Sequence, residues 1–155
     1  MAEQVYWDDV NEGDSIPELV KNCSAQNLVM WAAASGDFNP IHYDERTAKS
    51  QKLEDIIVHG ALKAGFLGQL IYEFAGEKGR IKSYGCQYRG MDYRYQDIVC
   101  KGTVTKKYVE DGEHRVDLEI WTETGTPMED DGRPKNPVGV KTTNGTATVV
   151  LPVRG

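Results

Sequence analysis

Asp37 and His42 stand five positions apart in the stretch 35–60, SGDFNPIHYDERTAKSQKLEDIIVHG. A carboxylate can accept a proton, and an imidazole can hold or relay one near neutral pH. Gly36 and Pro40, which set irregular backbone, flank Asp37. Gly60 ends the stretch and opens an apolar run that reads as a helix. The first N–H groups of a helix have no internal partner, and its dipole is positive there. Without a Cβ, Gly60 lets a ligand come close to its own N–H. An acid–base pair beside such a helix start is a set of parts for moving protons at a polarised carbonyl.

Each residue also has a plainer reading. Asp37 alone suits an Asx turn, and a lone loop histidine such as His42 is more often a hydrogen-bonded structural residue than a catalyst. Gly60 alone is a helix-start glycine. Their occurrence together, in this order, favours the chemical reading. Asn39 is expected to pin the loop through a bond to nearby backbone. For His59, packing at the helix entrance is the commoner role, with a ring presented to the site as the alternative.

These residues need elements to hold them. Ser24 can cap a helix in which Leu28, Trp31, Ala32 and Ser35 share one face, with Gly36 as its C-terminal glycine. Residues 44–50 read as a short helical turn. The run GALKAGFLGQLIYEFA, residues 60–75, has apolar or small residues on almost every face, broken by Lys63, Gln69 and Glu73, and is expected to be buried all round. Gly65 and Gly68 weaken a helix interior, so close approach of a wrapped sheet is the expected compensation.

Strands follow at 80–89, 98–109, 115–122 and 138–151, each enriched in β-branched or aromatic residues. Val116, Leu118 and Ile120 alternate with charges, as in a half-buried antiparallel strand. Glu110, Asp111 and Gly112 make a hairpin turn. A strand is expected within 13–22, kept to an edge by Pro17, and 123–137 reads as a long exposed loop. The order predicts an α+β fold, one domain over 1–155, with an antiparallel sheet wrapped around a long central helix.

Bulk properties exclude several classes. A net charge of -6 with scattered basic residues gives no nucleic-acid footprint. No run approaches the roughly 20 apolar residues of a membrane helix. The start of the chain is acidic and has no apolar h-region, so no signal peptide is expected. Cys23, Cys86 and Cys100 read as free thiols of a reducing, cytoplasmic compartment. The three histidines and three cysteines lack metal-ligand spacing, so no metal is expected. No nucleotide-binding glycine loop and no GxSxG elbow is present. Lys78, Arg80 and Lys82 are the densest basic group, read first as a solvated strand edge and only secondarily as a phosphate site.

The run Ser35-Gly36-Asp37-Phe38-Asn39-Pro40-Ile41-His42-Tyr43-Asp44, with Ala48 and then Val58-His59-Gly60, resembles the hydratase signature of MaoC-like dehydratases. That family comprises (R)-specific enoyl-CoA hydratases on the hot-dog fold. The resemblance implies reversible hydration of a 2-enoyl-CoA to an (R)-3-hydroxyacyl-CoA. It implies Asp37 and His42 acting on one water, Gly60 as oxyanion contact, and Asn39, His59 and Gly60 beside the substrate. It further implies an acyl-CoA substrate, no cofactor beyond the coenzyme A carried by that substrate, and a homodimer with sites near the interface.

Two other readings stand beside it: an acyl-CoA thioesterase on the same fold, and an acyl-binding subunit of a larger hydratase assembly. The family commonly continues with R-x-P-V-F-P-G-D, whereas this chain has Arg89-Gly90-Met91-Asp92-Tyr93-Arg94-Tyr95-Gln96-Asp97. The prolines are gone and polar or aromatic bulk replaces them. If this region lines the acyl pocket, a polar, branched or aromatic acyl group is expected to be admissible.

Overall fold

The computed structural model describes residues 4–128 and 131–155. Three helices and five strands follow in order: β1 (Leu19–Lys21), α1 (Ala25–Ser35), α2 (Glu45–Ser50), α3 (Gly60–Ala75), β2 (Arg80–Tyr88), β3 (Gln96–Glu110), β4 (Glu113–Pro127) and β5 (Lys141–Val150). The strands form one antiparallel sheet in the order β1-β3-β4-β5-β2. Among the described residues, no helix is long and apolar enough to cross a membrane.

The sheet folds around α3. Leu67, Leu70 and Ile71 of the helix are buried with Ile98, Val104, Val116, Leu118, Ile120 and Val149 of the strands. Burial of each such side chain is worth about 1.5–3 kcal/mol. The alternation anticipated at Val116, Leu118 and Ile120 is therefore the inward face of β4.

Local signals hold where they are local. Ser24 accepts from Asn27 N while Asn27 returns the bond to Ser24 N, a capping box, and Gly36 ends α1 at φ 77°. Asp111 and Gly112, with φ 54° and 74°, make the tight turn between β3 and β4. Twist-matched hairpins use such a turn, with φ positive at both central residues.

Two expectations need correction. First, α3 is buried on one face, not all round: Gly65, Gln69, Tyr72 and Glu73 are exposed. A Cβ on Gly65 would meet nothing within 4 Å, and one on Gly68 only Tyr84 at 3.8 Å, so no wrapped strand explains these glycines within the chain. Second, β4 continues to Pro127, because its end pairs with β3 from Gln96 onward. The connection between β4 and β5 is thus shorter than 123–137 suggests, and residues 129–130 of that expected loop lie outside the described ones. The described part of the connection is mostly exposed, as expected, and Gln96 anchors it: Gln96 Nε2 donates to Asn136 O at 2.8 Å, and Asn136 N to Gln96 Oε1 at 2.9 Å.

Candidate active site

The loop after α1 is built by its own side chains. Gly36 reverses the chain, and Asn39 Oδ1 accepts from Ile41 N at 3.3 Å, capping a single 3-10 turn, Pro40–His42. Asn39 N in turn donates to Asp37 Oδ1 at 3.3 Å. Tyr43 Oη donates to Phe38 O at 2.9 Å and closes the loop. This turn swings His42 inward to 7% exposure while Asp37 stays open to solvent.

His42 Nδ1 lies 2.8 Å from the Ile57 carbonyl oxygen. A carbonyl can only accept, so Nδ1 carries a proton, and the tautomer this selects has its lone pair on Nε2. That Nε2 faces Asp37 Oδ2 at 4.0 Å. The gap is too long for a direct hydrogen bond, but it has the width for one water at about 2.8 Å from each atom.

His59 is fully buried and stacks on His42, with ring centroids 3.8 Å apart and planes 20° apart. Its Nε2 is 3.2 Å from the Asp37 carbonyl oxygen, so this nitrogen donates; Nδ1 is buried without a partner. Burial first, and the neighbouring His42 second, hold the His59 ring below the ordinary histidine range, against the opposing pull of Asp37. His59 thus backs the site as a neutral plate and does not open into it. Nothing in the sequence points to this stacking.

His59 is also the N-cap of α3, which places Gly60 beside the two histidines. The three helices differ at this position. Ser24 and Asp44 cap α1 and α2 with their side chains, whereas α3 has no side-chain cap. Its first N–H groups, Gly60's among them, are left to a ligand or water. A Cβ at Gly60 would lie 2.8 Å from the ring of Tyr88, a half-exposed residue at the end of β2 that sequence reasoning passed over.

The ligating atoms of Asp37, His42 and His59 lie within 4.8 Å of one another. The stacked rings keep their in-plane lone pairs in nearly parallel planes, an arrangement that does not converge two imidazoles on one ion. His42 and His59 each already turn one ring nitrogen to a backbone carbonyl, Ile57 O and Asp37 O.

Asp92 and Arg94, read from sequence as bulk lining an acyl pocket, are engaged elsewhere. Asp92 binds Lys63, and Arg94 binds Asp55 and Glu45. Of the basic group after α3, Arg80 and Lys82 both pair with Glu113, as a strand-edge reading expects.

The family profile described as MaoC like domain matches residues 11–129, well over half of the chain. This chain is a MaoC-like domain. It is 35% identical over 66 residues to the (R)-specific enoyl-CoA hydratase of Rhodospirillum rubrum, covering 43% of this chain and 45% of that protein. The sequence match therefore spans less than half of that relative. Against the 3-oxo-4,17-pregnadiene-20-carboxyl-CoA hydratase beta subunit of Mycobacterium tuberculosis, identity is 31% over 93 residues, covering 60% of this chain and 72% of that one. The solved (R)-hydratase of A. caviae, involved in PHA biosynthesis, superposes on the MaoC-like domain with a TM-score of 0.75 at 23% identity, over 93% of this chain and 98% of that chain. The superposition establishes the hot-dog architecture: an antiparallel sheet around one long helix.

Proposed function

We propose that this MaoC-like domain, acting as one unit over residues 1–155, is a hydro-lyase that interconverts a 2-enoyl-CoA and an (R)-3-hydroxyacyl-CoA. The observation that carries the reading is the 4.0 Å gap between Asp37 Oδ2 and His42 Nε2, beside a helix start that lacks a side-chain cap. A water held in that gap attacks C3 and loses one proton to the pair. The C2=C3 electrons pass to the thioester carbonyl as an enolate, which the Gly60 N–H stabilises. C2 then takes that proton back from the pair and the carbonyl re-forms. One oxyanion donor is typically worth about 2.7–4 kcal/mol of barrier. Asn39 keeps the loop in shape beneath the substrate, and His59 supports His42. The only cofactor chemistry needed is the thioester of coenzyme A on the substrate.

Hydration should appear as loss of the conjugated enoyl-thioester absorbance, with an (R)-alcohol as product. Asp37→Asn and His42→Ala are each expected to lower turnover by about 10²–10⁴-fold. Full activity in both variants would overturn the assignment. Release of free thiol at comparable rates would favour thioester hydrolysis instead.

A second reading concerns assembly. A simple two-fold pairing through the sheet edge would give a homodimer, and the exposed face of α3 around Gly65 is available to a neighbour. The relative named as a beta subunit supports a hetero-oligomer in which this chain supplies the acid–base pair. A cytoplasmic location fits the three unpaired thiols.

A further inference from the structure

The strap between β2 and β3, residues 89–95, crosses the start of α3 and pairs with the segment leading into it. Val58 N donates to Asp92 O at 2.8 Å, and Arg94 N to Ile56 O at 3.3 Å. Between them Ile57 and Tyr93 form an antiparallel bridge. Ile57 is also the residue whose carbonyl holds His42 Nδ1. The group that orients His42 therefore belongs to a short ladder whose other rail is the strap.

Lys63, one turn into α3, ties that rail to the helix. Its Nζ donates to Asp92 Oδ2 at 2.7 Å and to Gly90 O at 2.8 Å. Both charged side chains are only 2% exposed, and Asp92 Oδ1 is buried with no partner. Burying two charges is costly, and an apolar pair of similar volume is often as stable or more so. Stability alone is therefore a poor account of this pair. Its directional bonds do something an apolar pair does not: they set one position of the strap against α3.

We propose that Lys63 and Asp92 are positioning residues. The ion pair locks the strap to α3 and so fixes the Ile57 carbonyl that sets the tautomer and aim of His42. The role in turnover rests on the hydratase reading above; the role in orienting His42 does not.

Two double variants test this. K63M/D92L replaces the pair with apolar side chains, and K63Q/D92N keeps an uncharged hydrogen bond in the same place. In ¹⁵N-labelled protein, the K63M/D92L variant is expected to stay folded but lose the single Nδ1–H tautomer of His42. Its kcat should fall by roughly 10- to 100-fold with KM little changed, while K63Q/D92N keeps tautomer and turnover. A K63M/D92L protein with native tautomer and kcat overturns the proposal. So does one that fails to fold, because the pair is then structural. If the wild-type protein hydrates no enoyl-CoA, the reaction falls and the His42 resonance alone decides the positioning role.

Discussion

At the scale of the residue, His59 shows how a buried imidazole conditions its neighbour. Burial and the adjacent His42 hold its ring below the ordinary histidine range. In the unfolded chain His59 takes up a proton near the ordinary value of about 6.5. The unfolded state thus binds more protons than the native one between that value and the lower folded one. Stability is then lost as pH falls through that window, and is unaffected by His59 above it. Denaturant midpoints measured from neutral to mildly acidic pH should fall accordingly, and His59→Gln should flatten the decline. An unchanged slope in that variant would place the acid sensitivity elsewhere.

The same scale shows what a sequence can carry. That Asp37, His42 and Gly60 lie near one another is legible, because their spacing follows from one loop and one helix start. The pair of Lys63 and Asp92 was not readable. The two lie 29 positions apart, and each type is usually exposed. Lys63 breaks an apolar helix and Asp92 breaks an expected motif, but neither irregularity names the other.

At the scale of the element, α3 meets β2 where the Tyr88 ring lies against Gly60. A methyl at position 60 collides with the Tyr88 ring, a half-exposed side chain with room to swing away. Gly60→Ala should therefore cost little stability, yet, if the Gly60 N–H is the oxyanion donor of the proposed reaction, lower kcat by about 10²-fold as the displaced ring and the new methyl crowd that donor. Adding Tyr88→Ala should relieve the collision without restoring turnover; restored turnover would assign the loss to the ring instead. Element ends followed the same division as residues. The capping box at Ser24 and the αL glycine at 36 are short-range and legible. The extension of β4 to Pro127 is decided by pairing with β3, which no local pattern records.

At the scale of the whole molecule, two faces are uncovered among the described residues: the outer edge of β2, which pairs only with β5, and the exposed side of α3. Tyr72, Tyr84 and Tyr88 are all exposed around them. Light scattering on the purified chain should give twice its 17.3 kDa. A monomer with full hydratase activity would show that no site residue need come from a second copy.

An open edge strand recognises its partner largely through backbone N–H and C=O groups, which are the same in every sequence. A duplicated gene could therefore drift at most side chains of β2 while its product still fitted the original.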